Sequence, residues 1–334
     1  MTAKFRILGS GEWGLAIAYH LSQHNHSVEI FGRTRKKIDD LNLTRRCKFL
    51  NIEFNQNISF DYLTNIGNKP PSDDIHNIIA TSSNGFSDLV NVNKYYLSAY
   101  SNFIWLTKGL DKKSNKLFDE LLTDYFGSTI GCCLISGPSF AKDLVGGEKI
   151  SVSLASNSRE YMDTIEKCFV SNNFIMNKTS DLIGVQVSGV MKNVAAILSG
   201  VLTSHNYVSS DILKMIEVTK TEIFEITKHI YSARNLSLDI DEVRKTLASP
   251  SCDGDLKLSC LSNQSRNRRF GLKLSGSNSH RQLIEDIGTV EGYVMTPVLY
   301  DIIKGKNVGP VLKSVNQILF DNQKLEKTEV INYL

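Results

Sequence analysis

The stretch RILGSGEWGLAIA, residues 6–18, has three glycines at the G-x-G-x-x-G spacing: Gly9, Gly11 and Gly14. The apolar run over residues 4–9 predicts a short buried strand, and the apolar spacing over residues 12–24 predicts a helix. At a junction of strand, turn and helix, glycines let the backbone approach a pyrophosphate, whose charge the helix N-terminus favours. The stretch therefore predicts a dinucleotide-binding domain rather than an ordinary glycine turn.

Further apolar runs end at small or turn residues and are spaced widely enough for crossovers; they cover residues 26–33, 77–85, 102–109, 130–138, 150–156 and 173–178. Because these runs do not alternate with polar residues, they favour strands buried on both faces of a parallel sheet. After these runs the apolar spacing predicts helices, at residues 181–203, 209–231, 240–247, 280–287 and 295–304. We predict a doubly wound α/β domain over residues 1–179 and an all-α domain over residues 180–334.

The composition fits a two-domain globular protein. The 334 residues are 41% apolar and 22% charged, and the formal net charge is only +3. So small an excess of positive charge argues against nucleic acid as the main partner. The six cysteines form no C-x-x-C pair, which favours reduced thiols over disulfides or a zinc site.

No signal peptide is expected, because Gly9, Gly11 and Glu12 interrupt the first apolar run. The best candidate for a membrane span is residues 182–202, which carries Lys192 near its middle. A lysine is costly at the centre of a bilayer, so a buried helix of a soluble, cytoplasmic protein is the better interpretation.

The choice between NAD and NADP depends on the end of the second strand. An acidic residue about 20 positions after the glycine motif ordinarily binds the ribose hydroxyls of NAD. Glu29 lies inside the predicted strand instead, and Arg33 stands where the acid is expected. Arg33 therefore indicates pairing with the 2′-phosphate of NADP, while a solvated basic loop is an equal alternative for Arg35, Lys36 and Lys37.

Lys192 is the only Asp, Glu, Lys or Arg between Asp181 and Asp211, and it shares a helix face with Gly184 and Ser188. Loss of hydration would favour its neutral form and lower its pKa, so that it exchanges protons near neutral pH. A lysine that extends its ammonium out of the core is the alternative. We favour the catalytic interpretation because perturbed ionisable groups cluster at functional sites.

Two other segments follow buried strands. Lys108 ends the run FIWLTKG, at the carboxyl end of a predicted strand, where open α/β sheets bind ligands. In SGPSFA, residues 136–141, Gly137 and Ser139 would present an amide and a hydroxyl to a ligand. A solvated lysine and a simple proline turn are the respective alternatives, and each has about equal weight.

The segment 252–271 concentrates turn residues, acids and arginines. Arg266 and Asn267 would hold a phosphate through charge-assisted hydrogen bonds, and Asp255 would orient an ammonium or a hydroxyl. A nucleic-acid patch is disfavoured by the small net charge and by the absence of interleaved aromatic residues. For Arg268, a solvated helix start is the better interpretation.

Several of these motifs occur together in one family. The chain resembles the bacterial NAD(P)-dependent glycerol-3-phosphate dehydrogenases in the order and spacing of its motifs from residue 7 to about residue 293. The motifs are GSGEWG, LTKGLD, SGPSFA, VMKNVAAI, GDLKLSC, NQSRNRRFG and VEGY.

The resemblance implies a role for each matching residue. The cofactor would contact Gly9, Ser10, Gly11, Trp13, Gly14, Arg33, Lys108, Ala141, Arg266, Thr289 and Glu291. The substrate would contact Lys108, Gly137, Ser139, Lys192, Asp255, Ser265, Arg266 and Asn267. Lys192 would be the proton donor and acceptor, and Lys108 and Asp255 would assist it.

The resemblance also implies a fold like that of 6-phosphogluconate dehydrogenase, with a Rossmann-type first domain. The implied reaction is reversible hydride transfer between NAD(P)H and dihydroxyacetone phosphate, which gives sn-glycerol 3-phosphate for phospholipid synthesis. The resemblance alone implies a homodimer. From the cysteines, the net charge and Lys192 we expect a cytoplasmic protein that needs no metal, binds no nucleic acid and does not insert into a membrane.

Three segments depart from the family pattern: ATSSNG after the third strand, CDGDL, and residues 200–225. None removes a residue assigned to chemistry, so we predict an active, divergent member. Two alternatives stay open, a 2-hydroxyacid or ketopantoate type of dehydrogenase and a nucleotide-binding sensor without activity.

Overall fold

The computed structural model describes residues 2–69, 75–100, 102–274, 276, 279–303 and 309–334. The chain divides into two compact units. The sheet unit comprises residues 1–108 and 118–182, and the helical unit comprises residues 109–117 and 183–334. The segment 109–117 thus belongs to the helical unit although it lies inside the range predicted for the first domain.

The sheet unit has an eight-stranded sheet and a small hairpin. Its strands are β1 Lys4–Leu8, β2 Ser27–Gly32, β3 Arg46–Cys47, β4 Ile52–Glu53, β5 Ile58–Tyr62, β6 Ile75–Ile79, β7 Asn102–Trp105, β8 Gly131–Ser136, β9 Ile150–Ser156 and β10 Phe174–Thr179. Its helices are α1 Glu12–Gln23, α2 Arg35–Thr44, α3 Ser83–Val92, α4 Lys94–Leu97, α5 Phe118–Phe126, α6 Ala141–Val145 and α7 Arg159–Phe169, with a 3₁₀ turn at Leu63–Asn68. The sheet order is β10-β9-β8-β7-β6-β1-β2-β5, and β3 pairs with β4.

The predicted parallel sheet is confirmed for all but one pair of its strands. β8 and β9 run antiparallel, with Ile135 opposite Leu154. Their connection holds only the short helix α6, which packs against α1, and β9 then returns beside β8 in the opposite direction. The sequence pattern also missed β5, which pairs in parallel with β2 at the sheet edge, because polar residues interrupt it.

The helical unit contains eight α-helices in its described residues: α8 Leu182–Ser204, α9 Ser209–Ala233, α10 Ile240–Ala248, α11 Asp255–Leu261, α12 Arg266–Leu274, α13 His280–Ile287, α14 Glu291–Ile302 and α15 Pro310–Phe320. A π-helical turn at Pro250–Gly254 precedes α11, and 3₁₀ turns lie at Leu325–Lys327 and Glu329–Tyr333. The pattern predicted for 295–304 belongs to α14, and residue 304 lies outside the described residues. The segment 200–225, which departs from the family pattern, forms the end of α8 and the first part of α9.

Helix α8 is the central element of the helical unit. It has the length and hydropathy of a membrane span, at a mean hydropathy of 1.4, yet 94% of its most apolar window is buried within the protein. It crosses α12 at very close range, because a Cβ on Gly271 would lie 2.0 Å from the Ile197 carbonyl oxygen. The apolar character of α8 is thus that of a core helix, as predicted.

The cysteines are unpaired in both units. Burial raises the pKa of the Cys133, Cys252 and Cys260 thiols to about 12. These three side chains are therefore neutral at physiological pH and pack as small apolar groups.

Candidate active site

The glycine motif forms the turn between β1 and α1. Gly9 has φ +132°, and a Cβ at this position would lie 2.2 Å from the Ala80 carbonyl oxygen. A Cβ on Gly14 would lie 2.7 Å from the Gly9 carbonyl oxygen. The first and third glycines are therefore required by the packing of the turn against its neighbours.

Gly11 differs from the other two glycines of the motif. A Cβ there would meet nothing closer than the Ala80 carbonyl oxygen at 4.0 Å, and Gly11 is exposed with φ −67°, which any residue adopts. No contact among the described residues requires glycine at this position. An exposed cradle at the N-terminus of a twelve-residue helix is what an incoming pyrophosphate needs, so the loop fits a dinucleotide.

The residues predicted beside the cofactor lie around the same turn. Ser10 packs near Gly32 at the end of β2, since a Cβ on Gly32 would lie 2.8 Å from the Ser10 Oγ. Arg33 is exposed immediately after β2, and Trp13 is half-buried on α1. Glu29, inside β2, pairs with Arg6 at 2.5 Å and is therefore committed to the fold.

The other basic residues after β2 differ from Arg33 in their surroundings. The Arg35 guanidinium lies 5.2 Å from the centre of the Tyr62 ring, and the Tyr62 hydroxyl donates to Asp39. Within the described part of the chain, Arg33 makes no hydrogen bond or ion pair. Arg33 is thus available to a phosphate, whereas Arg35 already stacks on an aromatic face.

Lys108, Gly137 and Ser139 come together at the carboxyl ends of β7 and β8. The Lys108 Nζ donates to the Gly137 carbonyl oxygen at 2.9 Å, and the Ser139 Oγ donates to the same oxygen at 3.1 Å. A Cβ on Gly137 would lie 2.9 Å from the Val152 Cα, so glycine is required here by packing. Ala141 begins the next helix, α6, in the same connection.

Lys192 meets an acid from another helix of the helical unit. Its Nζ lies 3.3 Å from Asp255 Oδ1, and the two side chains are 15% and 2% exposed. It also donates to the Ser259 Oγ at 3.3 Å. Each charge compensates the lost hydration of the other, and the lysine side chain is only partly withdrawn from water. This arrangement differs from that of a lysine extended into solvent.

Ser259 is a contact that the sequence interpretation missed. It stands four residues after Asp255 on α11, so both side chains leave the same face of that helix. The spacing in GDLKLSC carries this information, because it places a hydroxyl one turn after the acid that faces Lys192.

The arginines around the start of α12 divide into two kinds. Arg268 donates to the Cys260 carbonyl oxygen at 2.9 Å and to Thr203 at 3.4 Å, so it has a structural role rather than a role at the site. Arg266 is exposed at the first position of α12 and makes no hydrogen bond or ion pair within the described residues. A Cβ on Gly288 would lie 3.8 Å from the Arg266 Nη1, so the guanidinium lies near Gly288, the residue before Thr289.

Ser265 and Asn267 flank Arg266 and are engaged by the protein. The Ser265 Oγ accepts from the Arg268 backbone amide at 3.3 Å and so caps α12. Asn267 is 8% exposed, and its side-chain amide bonds to Asn193 and to the backbone of Gly292. Glu291, the residue before Gly292, is half-buried at the start of α14.

The predicted site residues thus form local groups in each unit. The sheet unit holds Gly9, Ser10, Gly11, Trp13, Gly14 and Arg33 around one turn and Lys108, Gly137, Ser139 and Ala141 around another. The helical unit holds Lys192 with Asp255, and Arg266 with the segments carrying Thr289 and Glu291. In the described ranges, no group of three or more His, Cys, Asp or Glu side chains is placed to hold a metal ion.

Two family models match the chain. One, described as the N-terminus of NAD-dependent glycerol-3-phosphate dehydrogenase, matches residues 4–162, and the other, described as its C-terminus, matches residues 181–329. The chain belongs to the NAD-dependent glycerol-3-phosphate dehydrogenase family. The family confirms the predicted class of enzyme, an NAD(P)-dependent oxidoreductase, and the predicted arrangement of a Rossmann-type domain followed by a helical domain.

Individual relatives match over almost their whole length. The glycerol-3-phosphate dehydrogenase (NAD(P)+) of Bartonella tribocorum is 31% identical over 339 residues, covering 100% of this chain and 97% of the relative. That of Francisella tularensis subsp. novicida is 31% identical over 328 residues, covering 96% and 94%. The crystal structure of glycerol-3-phosphate dehydrogenase from Coxiella burnetii matches with a TM-score of 0.82 at 25% identity, covering 98% and 97%.

Proposed function

We propose that this chain catalyses reversible hydride transfer between NAD(P)H and dihydroxyacetone phosphate, with Lys192 as the proton donor and acceptor. The ion pair between Lys192 and Asp255 carries this proposal, because it holds the only charged side chain of α8 at a fixed point. The product, sn-glycerol 3-phosphate, would supply phospholipid synthesis.

The glycine motif and its neighbours would hold the dinucleotide. The Gly11 cradle would receive the pyrophosphate, Ser10 and Trp13 would line the turn, and Arg33 would pair with a 2′-phosphate. We propose that Ala141 contacts the cofactor and that Thr289 and Glu291 contact its nicotinamide half. When bound, the reduced nicotinamide supplies the hydride.

Arg266 would grip the phosphate of the substrate together with the amides at the start of α12. Its guanidinium is exposed and unengaged among the described residues, and a helix N-terminus favours an anion. Ser265 and the remaining N–H of Asn267 lie at the same helix start. Fixing the phosphate orients the ketone and reduces the entropic part of the barrier.

As hydride arrives, negative charge grows on the carbonyl oxygen of the substrate. The Lys192 ammonium would stabilise that charge and deliver a proton to the oxygen, and in the oxidative direction Lys192 would accept the proton. Asp255, 2% exposed, and Ser259 would hold the Nζ in place. Lys108 would add a positive charge, and Gly137 and Ser139 would supply polar groups that contact the substrate.

The test is the absorbance of the reduced nicotinamide with dihydroxyacetone phosphate, run in parallel with NADPH and NADH. Lys192→Ala should lower turnover by about 10²–10⁴-fold, the usual contribution of a general acid, while NADPH binding is retained. Lys257→Ala is the matched control, since Lys257 lies on α11 and pairs at the surface with Asp253. Unchanged turnover in Lys192→Ala would remove Lys192 from the mechanism.

The same assay separates the alternative reactions. Oxidation of NADPH by ketopantoate but not by dihydroxyacetone phosphate would favour the ketopantoate type of dehydrogenase. Binding of NADPH with no oxidation by either ketone would favour a sensor.

We also propose that the protein is a cytoplasmic homodimer that neither binds nucleic acid nor inserts into a membrane. Unpaired thiols, five of the six buried, support the cytoplasmic location, and the core position of α8 supports the absence of membrane insertion. The small net charge of +3 argues against nucleic acid, and the homodimer rests on the resemblance to the family alone. Light scattering coupled to gel filtration tests the dimer, because a monomer mass would contradict it. Fractionation of cells tests the location, and recovery in the membrane fraction would contradict it.

A further inference from the structure

A chain of side-chain amides links three helices of the helical unit. Asn267 Nδ2, on α12, donates to Asn193 Oδ1, on α8, at 2.8 Å. Asn267 Oδ1 accepts from the backbone amide of Gly292, on α14, at 2.9 Å. Asn193 is 4% exposed and Asn267 is 8% exposed, so both hydrogen bonds are shielded from water. Shielded bonds of this kind are costly to break, because each lost partner leaves a buried polar group unsatisfied.

The third member of this amide chain is the backbone amide of Gly292, at the start of α14, a helix whose N-cap residue supplies no side-chain hydrogen bond. The first four amides of an α-helix lack partners within the helix, and Val290, which precedes α14, provides no side-chain cap. Asn267 therefore caps α14 from a different helix.

Gly292 also brings α14 against α8. A Cβ on Gly292 would lie 2.5 Å from the Asn193 carbonyl oxygen and 2.8 Å from Ile197 Cδ1. Only a glycine fits this crossing, so the position of α14 on α8 is fixed at the residue that begins the amide chain.

Each residue of the amide chain directly follows, in the sequence, a residue with a proposed role. Asn193 follows Lys192, Asn267 follows Arg266, and Gly292 follows Glu291. The hydrogen bonds therefore connect the backbones that carry the proton donor, the phosphate contact and the contact to the nicotinamide half. Movement at any one of them would change the distances between these three groups.

We infer that Asn193 and Asn267 are positioning residues, whose paired amides fix the segments carrying Lys192, Arg266 and Glu291 relative to one another. Asn267 then acts on the reaction through the start of α14 in addition to its remaining N–H, because its other N–H and its oxygen are engaged by the protein. The inference rests on the proposed function for its effect on the reaction, and on the geometry of the helical unit for the amide chain itself.

The test compares two substitutions of similar shape at one buried position in the full-length protein. Asn193→Asp keeps an acceptor for the Asn267 Nδ2, whereas Asn193→Leu removes it. We expect kcat for dihydroxyacetone phosphate to fall at least about tenfold in Asn193→Leu, since small misplacements of reacting groups cost up to about 10²-fold. In Asn193→Asp we expect kcat within about threefold of the original. A role in stability alone would lower the unfolding midpoint of the Leu variant and leave kcat unchanged at a temperature where it stays folded.

A second measurement does not depend on activity. Hydrogen exchange of the peptide containing Gly292 should be slow in the original protein and in Asn193→Asp, and faster in Asn267→Leu, which removes the cap of α14. If exchange at Gly292 is unaffected in Asn267→Leu, the amide chain does not hold α14 and the inference is overturned. Equal kcat values in the Asp and Leu variants at position 193 would also overturn it. Failure of the proposed function would show separately, as an original enzyme that oxidises no NADPH with dihydroxyacetone phosphate.

Discussion

Glu222 is the clearest source of pH-dependent stability in the helical unit. It lies on α9, is 4% exposed, and accepts from the backbone amides of Val311 at 3.0 Å and Leu312 at 3.1 Å, at the start of α15. Burial raises its pKa from 4.5 to about 7, although these amides favour the carboxylate, and the carboxyl of Glu329 adds to the rise.

The sign of the effect follows from where the proton sits. Between pH 4.5 and about 7 the folded protein holds a proton on Glu222 that the unfolded chain has released. The contribution of this group to stability is therefore full below pH 4.5 and is lost as the pH rises through about 7. The difference between the pKa of Glu222 in the unfolded chain, 4.5, and in the folded protein, about 7, corresponds to about 3 kcal/mol of the free energy of unfolding. About 2.5 kcal/mol of this contribution is lost between pH 5 and pH 8.

The assay is urea unfolding of the original protein and of Glu222→Gln at pH 5 and at pH 8, followed by circular dichroism. The Gln variant cannot ionise, so the stability of the original protein relative to it should fall by about 2.5 kcal/mol from pH 5 to pH 8. Glu225→Gln, on the same helix but 45% exposed, is the control and should show no such trend. If the stability difference between the original protein and Glu222→Gln stays constant with pH, the reasoning is refuted.

Three further predictions follow from particular contacts. Arg266→Ala should raise the KM for dihydroxyacetone phosphate by about 10–100-fold, which corresponds to the loss of a charge-assisted hydrogen bond. Arg269→Ala is the control and should leave the KM unchanged, because Arg269 is exposed on the same helix. Equal KM values for the two variants would place the phosphate site elsewhere. Gly11→Ala should leave the unfolding midpoint unchanged but raise the Kd for NADPH at least about tenfold. An unchanged Kd in a fluorescence titration would contradict the proposal that the pyrophosphate binds at Gly11. Gly271→Ala should destabilise the protein by about 1–3 kcal/mol in urea unfolding, because its Cβ would lie 2.0 Å from a backbone oxygen. Gly67→Ala should be tolerated, since a Cβ there would meet no described residue within 4 Å.

The sequence was informative where a local pattern determines a local structure. The glycine motif predicted the turn between β1 and α1, because the same short stretch contains the strand, the glycines and the helix. The apolar texture of α8 and its single lysine predicted a buried helix, since hydropathy and helical period are properties of neighbouring residues. Periodicity could not predict the reversed direction of β9, because direction depends on how the connection through α6 packs on α1.

The partners of the predicted site residues were harder to foresee. Asn193 and Asn267 are 74 positions apart, and nothing in either segment indicates that their amides meet. The assignment of Gly109–Leu117 to the helical unit is of the same kind, because it depends on long-range packing rather than on local composition.

Lys192 and Glu222 show why burial of a charge alone does not identify a functional residue. Both belong to long helices of the same unit, and both side chains are largely withdrawn from water. Glu222 is 4% exposed and is bonded to the backbone amides of α15, so its oxygens are used in holding one helix to another. Lys192 keeps 15% of its side chain exposed and is held by two side chains of α11 on one side. An ionisable group can exchange a proton with a substrate only if a ligand can reach it, so accessibility and the nature of the partners separate a residue suited to chemistry from one that stabilises the fold.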